Sequence, residues 1–393
     1  MIATKISRRK FLKLLGSGIT ILALYLLGYP RLKDVLADHR PTHDDSLTFQ
    51  VGANNPSFGD NYGIDLGYNQ FLGEKLWHWP HTEPVPIDLS KPDPNPRIPY
   101  LSEHPEEIED LFKKAKGLDV VRIWLFEHLE GLIFDGNKNN ELIGIDADFM
   151  HNLNKILNTA QKYNVKVYLA LFDGNNSAYN PSPTLPPDRL PNYYAWRDAM
   201  RNILRSIVKN PEYFSNMVLF PIIEGIKDQP ALYAIDLINE PEWMMEGPDA
   251  IISEAEMVNF IEKCTMAIKR LSPYKLNVTI GCANIETAKR YSALPIDFAD
   301  VHIYKTNGEE IEAYVADDYN NKQCLIGECG HDEWDIDKDV IRAKQLAVTK
   351  KIVGDVKDKG YMGALPWGVF HGDSVSEEDK EEILDWLKDF DRT

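Results

Sequence analysis

Two glutamates stand where apolar stretches of this 393-residue chain stop: Glu240 in YAIDLINEPEW (233–243) and Glu328 in CLIGECG (324–330). A carboxyl at the end of a buried run is costly unless it is paired or used. Two such groups can cleave a glycosidic bond, one protonating the leaving oxygen while the other attacks the sugar carbon or activates water. The roles require different surroundings, because one carboxyl must hold a proton and the other must stay ionised. Five further side chains sit near strand tips and suit that chemistry: Arg122, Asn239, His302, Tyr304 and Trp367. Strand alternation puts Arg122 with Trp124, and His302 with Tyr304, on common faces. An arginine and a tyrosine beside Glu328 would hold it anionic, whereas a more apolar setting would let Glu240 keep its proton. Asn239 could offer its amide to the hydroxyl beside the reacting carbon, and Trp367 a stacking floor. Asp236 shares the face of Glu240 by alternation but lies four residues deeper, which predicts a place in the internal packing network.

Blander readings exist for each residue. Glu240 could cap a turn made by Asn239 and Pro241, Glu328 could be an ordinary strand end, and His302 or Trp367 alone would be core. Arg122 is harder to dismiss, since a buried arginine needs an anionic partner. Lys305 could form a Schiff base, but alternation turns it away from His302 and Tyr304. Asp60, Asp65, Glu127 and Asp173 lack the spacing of a calcium loop, and no metal or cofactor is expected.

The elements that must position these residues alternate along the chain. Eight apolar runs read as strands: 47–53, 119–126, 165–172, 232–238, 277–282, 299–304, 324–327 and 363–370. Stretches with apolar residues at three- and four-residue spacing separate several of them, among them 105–118, 146–164, 254–271 and 338–360. The charge-rich end, Glu377 to Arg392, reads as the solvated face of a last helix. No GxGxxG or phosphate-binding loop opens a helix, which disfavours an open doubly wound sheet. Strand–helix repetition over residues 47–393 predicts an α/β fold, the (β/α)8 TIM barrel, whose active site lies at the strand C-termini. Two oversized loops, 54–104 and 173–195, follow strand C-termini. The first carries Trp77 and Trp79, which either stack on sugar rings or pack the loop against the barrel.

Composition narrows the ligand. The formal net charge is −18, and residues 1–37 hold seven basic residues and one acidic residue, so the remainder stands at −24. Such a surface repels nucleic acid, anionic membranes and polyanionic substrates and leaves neutral ligands open. Within residues 1–37, SRRKFLK (7–13) is followed by an apolar run and then by VLA ending at Ala37. This resembles a twin-arginine signal peptide, implying the twin-arginine (Tat) export machinery as a partner and a periplasmic or extracellular location in a bacterium. An uncleaved membrane anchor is the other reading. Cys264, Cys282, Cys324 and Cys329 form no CxxC pair, so neither a zinc site nor dependence on disulfides is expected. A monomer is expected.

Taken together, Asn239-Glu240-Pro241 closing the fourth strand, Glu328 closing the seventh, HIY on the sixth, an arginine on the second and a tryptophan on the eighth resemble the retaining glycoside hydrolases of clan A. The ensemble is most similar to glycoside hydrolase family 5, the cellulase and β-mannanase family, over residues 47–393. The resemblance implies Glu240 as acid/base and Glu328 as nucleophile, Arg122 and Tyr304 orienting the nucleophile, His302 near the acid/base, and Asn239 and Trp367 lining the subsite of the cleaved sugar. It implies cleavage of a neutral β-linked polysaccharide or oligosaccharide by double displacement. Cellulase-type members usually carry a histidine at the tip of strand 3, where this chain has Asp173 and Asn175, which makes it more similar to the β-mannanase branch. A non-catalytic carbohydrate-binding barrel and a transglycosylase using the same residues are the alternative readings.

Overall fold

The computed structural model describes residues 48–59, 63–70, 98–136, 140–177, 190–247, 250–272, 276–305, 310–331, 338–370 and 377–392. The signal-like segment 1–37, Asp60, Trp77, Trp79 and much of both long loops lie outside the described residues.

Eight strands close into a parallel barrel. In chain order they are β1 (Gln50–Asn55), β2 (Val120–Trp124), β5 (Lys166–Ala170), β6 (Leu232–Asn239), β7 (Asn277–Cys282), β8 (Ala299–Lys305), β9 (Cys324–His331) and β10 (Gly363–Pro366). β10 pairs with β1 and completes the ring. The expected (β/α)8 barrel is therefore the observed fold. β3 (Leu132–Asp135) and β4 (Glu141–Ile145) form a separate antiparallel hairpin after β2 that the sequence reading does not anticipate. Apart from β7, every strand differs from its expected limits by one or more residues; β1 runs to Asn55, and Glu328 lies inside β9.

The helices form where periodicity and caps agree. Helix Ala147–Tyr163 starts at Asp146, whose carboxylate accepts the backbone N–H groups of Asp148 and Phe149. It ends at Asn164 in the left-handed region, and its buried face carries Phe149, Leu153, Ile156, Leu157 and Ala160. Helix Glu254–Leu271 opens with a reciprocal Ser253–Glu256 capping box. Among the described residues, no helix is long and apolar enough to cross a membrane.

Inside the barrel the side chains change character with height. Val120, Tyr168, Ala234, Phe298, Leu325 and Leu365 make a small apolar cluster apart from the main core. Two residues further along, on the same face of the strands, come Arg122, Asp236 and Asp300, with Asn54 from β1, all fully buried. Tyr168 joins the two layers, its hydroxyl donating to Asp300 Oδ2 at 2.5 Å. Gly327 N–H supplies the other Asp300 oxygen at 2.8 Å. Burial pushes the Asp300 carboxyl up to about 6, although the positive charges of His302 and Arg122 work against the rise. Tyr168→Phe takes a donor from this buried carboxyl. It should lower unfolding free energy by about 1–3 kcal/mol in chemical denaturation, with the far-UV spectrum unchanged.

Candidate active site

Arg122 organises the barrel mouth. From β2 its Nη1 donates to Glu328 Oε1 on β9 at 2.6 Å and to Asn54 Oδ1 at 3.2 Å. Its Nη2 donates to Asp236 Oδ2 at 2.6 Å and Asn239 Oδ1 at 2.8 Å, both on β6. The guanidinium is fully buried and lies over the Tyr168 ring at 5.3 Å. One cation thus faces two carboxylates, as its burial demands.

Alternation alone does not produce this arrangement. Asp236 and Asn239 are three residues apart, yet both reach Arg122, because the β6–β7 pairing shifts register between them. Such bulges re-aim side chains and are common beside active sites. Similar shifts occur in β8–β9 between Val301 and His302, and in β10–β9 between Ala364 and Pro366. Glu240 follows the β6 irregularity with φ +48°, a left-handed conformation for a non-glycine residue. Its backbone is pinned by Glu240 N donating to Gly281 O at 2.7 Å. The expected common face for Asp236 and Glu240 is therefore corrected. Asp236 does belong to the internal network, also accepting Gly281 N–H at 2.9 Å.

The two glutamates meet across His302. Tyr304 donates its hydroxyl to Glu328 Oε2 at 2.8 Å. His302 Nδ1 lies 2.8 Å from Glu240 Oε1 and 3.6 Å from Glu328 Oε2. Trp243 Nε1 donates to Glu240 Oε2 at 2.6 Å. Asn239 accepts from Arg122 and donates its amide to Asp173 Oδ1 at 2.9 Å. Trp367 stands beside Trp124, ring centroids 5.4 Å apart, and its backbone N–H donates to Cys329 O at 2.9 Å.

Burial by itself would push the Glu240 carboxyl up, but the His302 and Trp243 hydrogen bonds and the His302 charge outweigh it and hold Glu240 below the usual range. Burial likewise opposes charge on His302, and the facing Glu328 and Glu240 raise it to about 9. This corrects the expectation that an apolar setting keeps Glu240 protonated: in the unliganded site the proton of the pair sits on the imidazole. Asp173 is pushed up to about 7, first by burial and then by the nearby Glu240 and Glu328 charges, against the Asn239 hydrogen bond.

All seven sequence-predicted residues stand at this mouth, and Arg122, Asn239, Glu240, His302, Tyr304 and Glu328 form one linked network. Sequence reasoning missed Asn54, Trp243, Asp300 and Gly281 as parts of the site. A Cβ on Gly281 would lie 2.8 Å from Asp236 Oδ2, 3.0 Å from His302 Nε2 and 3.2 Å from Arg122 Nη2. A Cβ on Gly174 would meet Glu240 O at 2.3 Å, so the Asp173 loop also closes directly on the Glu240 backbone. Glycines in NVTIGC and FDGNN were the available signal.

Glu240, His302 and Glu328 are, among the described residues, the group with ligand atoms close enough to hold a metal ion, all within 4.8 Å. Their atoms already bond one another, Tyr304, Trp243 and Arg122. A second cation would also be repelled by the Arg122 charge. Asp65 and Asp173 are engaged elsewhere, with Phe58 N–H and Asn239 respectively. The four cysteines are buried free thiols.

No protein-family model matches the sequence, and no curated protein matches it. Solved structures do match. The β-mannanase from the blue mussel Mytilus edulis aligns over 87% of this chain and 92% of its own, with TM-score 0.59 and 19% identity. The β-1,4-mannanase from the sea hare Aplysia kurodai covers 87% and 93%, with TM-score 0.57 and 19% identity. The β-1,4-D-mannanase from Cryptopygus antarcticus covers 88% and 92%, with TM-score 0.53 and 18% identity. This chain has their fold.

Gly281→Ala should crowd the network and destabilise the protein by about 1–3 kcal/mol. Arg122→Met, which strands two buried carboxylates, should cost more, about 3–5 kcal/mol. Thermal and denaturant unfolding of the two variants beside the wild type measures both, and equal or negligible losses would contradict the network.

Proposed function

We propose that this barrel is a retaining glycoside hydrolase that cleaves a neutral β-linked polysaccharide or oligosaccharide, with Glu240 as acid/base and Glu328 as nucleophile. The observation that carries the reading is spacing: an oxygen of Glu240 lies within 4.8 Å of an oxygen of Glu328. Retaining enzymes hold their carboxyl groups about 5–5.5 Å apart, whereas inverting ones leave about 6.5–9.5 Å for a water.

In the first step a Glu328 oxygen attacks the anomeric carbon while Glu240 gives its proton to the departing oxygen, and the carbon–oxygen bond breaks. Arg122 and Tyr304 fix the Glu328 carboxylate from its two oxygens. In the second step water attacks the same carbon, Glu240 takes its proton, and Glu328 is released. The His302–Glu240 pair stores the proton between steps. Asn239, held between Arg122 and Asp173, stands next to Glu240 in the chain, and its second amide N–H would serve the sugar hydroxyl next to the reacting carbon. Trp367 and Trp124 offer apolar faces for the ring.

A β-mannan is the favoured substrate. Just beyond β5 the chain carries Asp173 rather than a histidine, and the structural neighbours reported above are β-mannanases. A β-glucan is the second candidate. The segment 1–37 supports export through the twin-arginine route, to the periplasm or beyond, and the strongly acidic remainder suits a neutral glycan.

Product analysis on mannan, glucomannan, cellulose, xylan and mixed-linkage glucan tests the activity. Reducing ends should appear from mannan-type substrates. Binding without cleavage would point instead to a carbohydrate-binding barrel, and glycosyl transfer at high acceptor concentration to a transglycosylase. Glu328→Ala should abolish hydrolysis, and an activated 2-fluoro glycoside should label Glu328 in peptide mass analysis; a label on another residue would sink the assignment. Because the pair gives up its proton near the His302 value of about 9, kcat/KM should fall as pH rises through that region.

A further inference from the structure

Both oxygens of the Glu240 carboxylate are already donated to, Oε1 by His302 Nδ1 and Oε2 by Trp243 Nε1. That arrangement suits the base of the second step, because an anion with two donors is stabilised. It does not suit the acid of the first step, which must carry its proton on an oxygen turned toward the leaving group. Oε1 faces the imidazole, whose side chain is fully buried. Oε2 faces an indole that is 47% exposed. Of the two donors, Trp243 is therefore the one with room to turn.

The position of Trp243 supplies a reason for it to turn. A group bonded to the acid that protonates the leaving oxygen lies next to the leaving sugar. A half-exposed indole there presents an apolar face to the C–H face of a pyranose, a polar-edged ring of the kind aromatic side chains stack on. Trp243 stands three residues beyond Glu240, in a four-residue helix that starts at Glu242, and its backbone N–H donates to Glu240 O at 3.2 Å, so indole and carboxyl flank one short turn.

We propose that Trp243 is the stacking residue for the sugar on the leaving-group side, and that seating this sugar draws the indole N–H off Glu240 Oε2. With Oε2 released, that oxygen takes a proton from solvent, while Oε1 keeps its hydrogen bond from His302. When the leaving sugar departs, the N–H returns and restores the carboxylate for the attack of water. Trp243 is thus a positioning residue: it ties the protonation of Glu240 to occupancy of the leaving-group subsite. The inference rests on Glu240 being the acid/base.

The experiment compares wild type, Trp243→Phe and Trp243→Ala on a mannooligosaccharide and on a glycosyl fluoride, whose leaving group needs neither a proton nor a stacking ring. Trp243→Phe keeps the ring but not the N–H. Loss of one hydrogen bond to the charged form should move the basic limb of kcat/KM up by about one pH unit. Trp243→Ala should reduce kcat/KM on the oligosaccharide about tenfold more than on the fluoride, the size of one lost stacking contact. An unmoved limb in the Phe variant, or equal losses on both substrates in the Ala variant, overturns the role of Trp243 while leaving Glu240 and Glu328 in place. A wild type inactive on both substrates overturns the hydrolase reading itself.

Discussion

Arg122 carries its charge with no solvent exposure, and the chemistry of the barrel mouth is built around making that tolerable. Its two terminal nitrogens reach Glu328, Asp236, Asn239 and Asn54, drawn from β9, β6 and β1. A buried cation is tolerated only when anions face it, and that demand fixes the Glu328 carboxylate at the barrel mouth. The guanidinium is therefore both a structural centre and the element that sets the Glu328 orientation. Asp236 is the second carboxylate on the guanidinium and anchors the β7 backbone through Gly281 N–H.

His302 sits between the two carboxylates that the proposed mechanism gives different roles. It lies close to both glutamates, and its raised affinity for a proton follows from their combined charge. A neutral apolar pocket around Glu240 would have stored the proton on the carboxyl. An imidazole in contact with it stores the proton next door, and the carboxyl stays anionic until something shifts the balance. Acid and base duty by one residue requires such a balance, since a carboxyl fixed in either state serves only one of the two steps.

The barrel was legible because it rests on repetition: eight apolar runs, intervening helical periodicity and caps such as Asp146 and Ser253 agree with one another. The residues that gather at the mouth were legible because Arg122, Glu240 and Glu328 are expensive where they stand. What the sequence concealed has one common cause. Period-two alternation assumes regular pairing, and the register shifts beside Asn239 and His302 break it at the strand ends that carry the site. Asp236 and Asn239 therefore share a partner that alternation denies them. The hydrogen bond from Trp243 to Glu240, the depressed Glu240 carboxyl and the need for glycine at 281 depend on local geometry that spacing does not encode. Trp77 and Trp79 lie outside the described residues, so both readings of the first long loop stand as the sequence leaves them.

The account turns on two carboxylates acting on opposite sides of one covalent intermediate, and stereochemistry reports on that directly. Proton NMR during the first minutes of hydrolysis of a β-linked mannooligosaccharide, before mutarotation equilibrates the new reducing end, shows which anomer is released. Net retention, with the β-anomer appearing first, is the predicted result. First appearance of the α-anomer would contradict the paired roles of Glu240 and Glu328.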